Sequence, residues 1–233
     1  MTILTHEEKR RYLARNPLFA GFEGPAIDRL AQRMIERRFG DRQSIFDRGD
    51  PGGSVMAVID GHVRISLTSA DGREVLLSIV RPGQMFGEMT LLDGRTRSAD
   101  ATAHGSCRLL VLDRRELLPV LQRSPAAALK LCEILCSRLR DTSERLEGAV
   151  LMPVEGRLAR ILLSLADDTG PLLSQSDIGR LIGASRQQVN LHLGRMLAEG
   201  LLKREGARLA IMDRQGLNDI AQLTAASFPL SAR

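Results

Sequence analysis

From about residue 35 to residue 113 the chain is punctuated by glycine, and that rhythm restricts the fold more than any other feature. Gly40, Gly49, Gly52, Gly53, Gly61, Gly72, Gly83, Gly87, Gly94 and Gly105 divide short runs rich in valine, isoleucine and leucine at 55–59, 63–67, 75–80 and 109–112. Such short strands with regular turn signals imply a β-sandwich or barrel. Asp71-Gly72 falls between two runs and is a strong hairpin signal. Residues 5–16 and 24–34, ahead of this region, read as short amphipathic helices with Pro17 and Gly21 between them.

The pattern turns helical from about residue 114. Pro125 can open a helix at its first turn, and the next proline is Pro153. Leu129, Cys132, Cys136, Leu139, Ser143, Leu146 and Val150 alternate by three and four, an a/d seam held for more than three heptads. A helix over 125–151 would be about 40 Å long. The seam predicts a parallel homodimer. Leu131 and Leu135 lie off it, so part of the helix is expected to pack on the β-rich region. Pro153 breaks the helix and makes 152–153 the expected hinge. The expected domains are 1–124, the helix 125–151, the hinge 152–153 and a C-terminal module 154–233.

In that module Ser174-Gln175-Ser176-Asp177 reads as a capping-box variant opening a helix through Ile182. Gly183-Ala184-Ser185 makes a turn, a second helix runs from Arg186 to Glu199, and Gly200 stops it. Helix, glycine turn and helix describe a helix-turn-helix. Val189, Leu193 and Met196 share one face of the second helix and should pack inward. Arg186, Gln187 and Asn190 lie on another face and are base-edge types, Arg for guanine and Gln or Asn for adenine. Lys203, Arg204 and Arg208 follow on an expected two-stranded wing and suit phosphate contacts. The expected DNA-contacting set is Ser174, Gln175, Ser185, Arg186, Gln187, Asn190, Lys203, Arg204 and Arg208. Residues 214–226 read as a last helix.

Within the β-rich region, residues 86–99 bring together a glycine turn, a carboxylate and an arginine beside a hydroxyl. Arg97 supplies a planar fork of donors for an anionic phosphate. Ser98 and the backbone N–H groups near Gly87 add donors, and glycine permits close backbone approach. Glu88, ionised, only accepts, which suits a ribose hydroxyl. Taken in order, Gly87, Glu88, Met89, Arg97 and Ser98 resemble the cyclic-nucleotide cassette of the cyclic-AMP receptor protein family, also called the CRP/FNR family. The stretch 178–186 is similar to that family's helix-turn-helix signature, and the resemblance covers nearly the whole chain.

The resemblance implies an α+β architecture: an N-terminal jelly-roll-like β-roll that binds cyclic nucleotide, a long dimerisation helix and a C-terminal winged helix-turn-helix. It implies that Glu88 holds the ribose, Arg97 and Ser98 the cyclic phosphate, and Thr142-Ser143 the base. Its reading arginine falls on Arg186. Gln187 and Leu191 stand where the archetype has glutamate and a second arginine, so a different operator is expected. The heptad independently puts Ser143 on the seam, either to meet a ligand base or to fix register. The implied partners are a palindromic duplex operator, a second copy of the chain and RNA polymerase. The implied effector is cyclic AMP, with cyclic GMP the alternative, since hydroxyls serve either base.

Three cysteines, an odd number, argue against a disulfide framework and fit a reducing cytoplasm. No apolar run spans a membrane and the first residues lack a signal-peptide core. The net charge of +5 is compatible with nucleic acid but weak by itself. No nucleophile elbow, P-loop or metal signature marks an enzyme, and no metal is expected. A redox sensor on the same scaffold would have to use Cys132 and Cys136, because no cysteine precedes Cys107.

Overall fold

The computed structural model describes residues 4–16, 19, 22, 24–72, 74–166, 173–206 and 208–226. Pro17 and Gly21 lie outside them. Two compact units divide at Arg138 and Leu139.

Unit one begins with α1 (His6–Arg15) and α2 (Gly24–Arg33). Thr5 and Glu8 close a capping box on α1. The sheet that follows is antiparallel throughout. It contains β1 (Ile35–Phe39), β2 (Ser44–Phe46), β3 (Ser54–Thr68), β4 (Glu74–Val80), β5 (Met85–Phe86) and β6 (Asp100–Asp113). Their order is β1-β6-β3-β4, with β2 on β6 and β5 on β3. The short helix α3 (Glu88–Asp93) interrupts the strands, and α4 (Arg114–Arg123) follows them.

Side chains alternate across a strand, and both faces of the two long strands are buried. Val55 and Ala57 on β3, with Leu110 and Leu112 on β6, join a core with Leu13, Leu30 and Leu117 of the helices. Met56, Val58 and Val63 turn the other way, with Leu109, Ala103 and Phe86, into a second core. The sequence runs 55–59 and 63–67 are one 15-residue strand rather than two. Gly61 absorbs the irregularity between them. Its φ is +75°, a Cβ there would lie 2.3 Å from the Ser106 carbonyl oxygen, and the pairing register shifts on both sides of Asp60. The glycine marks a bulge, not a break.

α5 (Pro125–Leu151) is one continuous 27-residue helix. Its first turns carry buried Ala127 and Leu131, with Leu135 packed beside them on the helical core of unit one. The seam residues Leu129, Leu139, Leu146 and Val150 are all exposed, Leu139 at 67%.

Unit two contains α6 (Val154–Ala166), α7 (Gln175–Ile182), α8 (Arg186–Ala198), the ribbon β7 (Leu202–Glu205) and β8 (Arg208–Ile211), and α9 (Arg214–Ala226). Leu158 and Leu162, Ile178 and Ile182, Val189, Leu193 and Met196, and Leu217 make its core. α6 was not singled out by the sequence patterns above, although Leu158 and Leu162 have helical spacing. The fold is the α+β arrangement expected, sheet first and winged helix-turn-helix last.

Candidate ligand-binding and DNA-binding sites

The cassette forms where β5 ends and α3 begins. Gly87 is the N-cap of α3 with φ +81°, in the left-handed region. A Cβ there would lie 2.6 Å from Arg97 Nη1 and 3.2 Å from the Ser54 carbonyl oxygen. Glycine is therefore required twice, by conformation and by the approach of the guanidinium.

Arg97 lies only 4% exposed. Its Nη1 donates to the Gly87 carbonyl at 3.1 Å and to Thr90 Oγ1 at 2.9 Å. Its Nη2 donates to the Ser54 carbonyl at 2.9 Å and to Ser54 Oγ at 3.1 Å. The guanidinium also sits 4.2 Å above the centre of the Phe46 ring, a cation–π arrangement. Burial pulls its pKa down, and the charges of Asp50 and Glu88 partly restore it. Arginine stays protonated under such shifts. The fork expected to point at a phosphate thus rests on protein acceptors, while Nε is buried with no hydrogen-bond partner.

Glu88 is 5% exposed. Arg138 Nη1 of α5 donates to its Oε1, and Arg138 Nη2 donates to the Met85 carbonyl. Glu88 Oε2 is buried and has no partner. An ionised carboxylate with one buried oxygen unsatisfied is costly unless a donor arrives. Ser98 is exposed, its Oγ 3.8 Å from the Sδ of exposed Met89.

Gly87, Glu88, Met89, Arg97 and Ser98 are brought together as the sequence implied. Four side chains beyond that set also contribute. Arg138 meets Glu88 across 50 residues, Ser54 and Phe46 flank Arg97 from separate strands, and Thr90 bridges Gly87 and Arg97. Gly52 packs so tightly on Thr90 that a Cβ would fall 2.2 Å from the threonine Cβ.

Thr142 and Ser143 belong to the second unit, further along α5. Ser143 Oγ donates to the Leu139 carbonyl at 2.9 Å. That back-bond satisfies the hydroxyl within its own helix. A ligand base is therefore not needed to relieve a polar residue on the seam, although the oxygen keeps acceptor capacity.

The helix-turn-helix elements are closely specified. Ser174 and Asp177 form the capping box of α7, and Gly183 ends that helix at φ +65°. Ser185 caps α8 with Gln188 as the reciprocal partner, a second box. Both serines therefore serve their own helices as caps. Arg186, Gln187 and Asn190 are exposed. Gln175 Nε2 donates to Asn190 Oδ1 at 3.2 Å, which holds the asparagine on the outer face. Lys203 and Arg204 are exposed on β7. Arg208 opens β8, but its side chain lies outside the described residues.

A cassette of a buried arginine and carboxylate in a β-roll, followed by a winged helix-turn-helix, defines a ligand-binding regulator of DNA. Residues 36–124 match the cyclic nucleotide-binding domain, and residues 156–220 match the Crp-like helix-turn-helix domain. The chain is 34% identical to the CRP-like cAMP-activated global transcriptional regulator of Mycobacterium tuberculosis, over 88% of this chain and 96% of that one. It is 32% identical to the cyclic AMP receptor protein of Thermus thermophilus, over 88% and 97% respectively. The solved structure of the c-di-GMP responsive global regulator CLP of Xanthomonas campestris superposes with a TM-score of 0.69 at 26% identity, covering 81% of this chain and 99% of that one. The chain belongs to the CRP/FNR family of transcriptional regulators. It is a cyclic nucleotide-binding, DNA-binding transcription regulator, and its relatives are regulators rather than enzymes. Among the described residues no helix is long and apolar enough to cross a membrane.

Proposed function

We infer that this chain is a cyclic-AMP-responsive homodimeric regulator that reads a palindromic operator. The observation that carries this reading is the pair of buried, unpartnered atoms in one cassette, Glu88 Oε2 and Arg97 Nε. An acceptor and a donor left unsatisfied in the same site suit a ligand that brings both a hydroxyl and an anionic oxygen. The 2′-hydroxyl and the cyclic phosphate of a nucleoside 3′,5′-cyclic monophosphate do so. A phosphate accepts stronger, charge-assisted bonds than a carbonyl or a threonine hydroxyl, so it competes for the Arg97 fork. Gly87, Met89 and Ser98 line the same turn, and Thr142 and Ser143 meet the base from the long helix.

The names of the Mycobacterium and Thermus relatives favour cyclic AMP over cyclic GMP. The exposed heptad residues of α5 favour a second copy of the chain as the partner of that helix. In the proposed switch, ligand favours the state in which residues 152–153 set the two recognition helices about one DNA turn, ~34 Å, apart. The operator contacts are those of Arg186, Gln187, Asn190, Lys203, Arg204 and Arg208. RNA polymerase is the downstream partner and the cytoplasm the location. Calorimetric titration with cyclic AMP, cyclic GMP and c-di-GMP tests the ligand. The reading requires saturable cyclic AMP binding that Arg97→Ala removes. Unchanged affinity in that variant would overturn it.

A further inference from the structure

We propose that Leu191 is a specificity residue that reads the methyl group of a thymine in the major groove. The inference rests on α8 being the recognition helix. Val189, Leu193 and Met196 are its buried face. At about 100° per residue, Leu191 points roughly opposite the centre of that face, in one row with Gln187 a turn earlier. Leu191 is nevertheless 54% exposed. A large apolar side chain is thus held on the outer face of the helix, beside Gln187 and on the far side of it from Asn190 and Arg186. It is not among the residues that make the core of unit two.

The occupant follows from what a major groove offers. Donors and acceptors line every base pair there, and the thymine 5-methyl is the apolar feature among them. Charged and amide side chains on the same face supply the polar contacts. Leu191 has no polar atom, so the base edge it fits is the one that presents a methyl. Gln187 in the same row can pair with an adenine edge. The row Gln187–Leu191 therefore takes an adenine- and thymine-containing step, where a second basic side chain would take guanine.

The test uses the full-length protein with saturating cyclic AMP and a randomised palindromic duplex pool. Each thymine of the selected site is then replaced in turn by uracil, which keeps every hydrogen-bonding atom and lacks the methyl. One symmetry-related thymine per half-site is expected to be sensitive, with binding weakened about fourfold per half-site. Leu191→Ala is expected to bind the parent site more weakly and to be indifferent to uracil at that position. It should also lose the thymine preference there when selection is repeated. A site with no uracil-sensitive position, or undiminished sensitivity in Leu191→Ala, overturns the proposal. Failure to select any sequence overturns the recognition-helix reading as well, and so is a distinct outcome.

Discussion

Two glycines with nearly the same backbone angle separate conformational cost from contact at the cassette. Gly72 has φ +80° and open space around a would-be Cβ, whereas Gly87 has φ +81° and Arg97 Nη1 at 2.6 Å. Alanine at either position carries the left-handed penalty of about 1–2 kcal/mol. At Gly87 it must also push the guanidinium away from the Gly87 carbonyl and Thr90 Oγ1. Losing one such charge-assisted bond costs about 1.5–3 kcal/mol, so Gly87→Ala is expected to cost about 2.5–5 kcal/mol in all. Urea unfolding followed by circular dichroism measures both variants. Calorimetric titration should show cyclic AMP affinity reduced at least about tenfold in Gly87→Ala and unchanged in Gly72→Ala. Equal destabilisation of the two, with cyclic AMP affinity intact in Gly87→Ala, would refute the claim that Gly87 and Arg97 form one unit.

Glu88→Gln keeps the shape of the side chain but removes the charge facing Arg138, and is expected to weaken cyclic AMP binding about tenfold by calorimetry. Glu36 offers a pH test. Burial would raise its pKa, but hydrogen bonds from Arg108, the Leu4 N–H and Arg38 outweigh it and hold the carboxyl at about 2 against an ordinary 4.5. A depressed carboxylate stabilises the fold above its unfolded value, and that contribution is lost as pH falls from about 4.5 toward about 2. Glu36→Gln should flatten this part of an acid unfolding profile. Leu139→Asp combined with Leu146→Asp should convert the protein to a monomer in sedimentation analysis, because both side chains stand exposed on the proposed dimer seam.

Local rules were readable wherever the determinant was local. The Ser174–Asp177 box, the Gly183 turn and the inward set Val189, Leu193 and Met196 follow from spacings of three and four, and the structure has them in those roles. Gly61 misled because a glycine can end a strand or bulge within one, and the choice depends on β6, more than 40 residues away. The cassette's turn and charged residues were legible as a motif. Its electrostatics were not, since Arg138 reaches Glu88 only after α5 packs against the sheet. The inward engagement of Arg97 likewise depends on Ser54 and Phe46, which no spacing connects to it. Ser143 adds what no spacing shows: its hydroxyl donates to the Leu139 carbonyl within the helix and keeps acceptor capacity for a ligand.

Fluorescence anisotropy with a selected palindromic duplex, titrated with and without saturating cyclic AMP, tests the central claim most directly. The account predicts DNA binding tightened at least about tenfold by the nucleotide, a coupling of about 1.4 kcal/mol, and no tightening in Arg97→Ala. Equal affinity with and without cyclic AMP in the unmodified protein would contradict it.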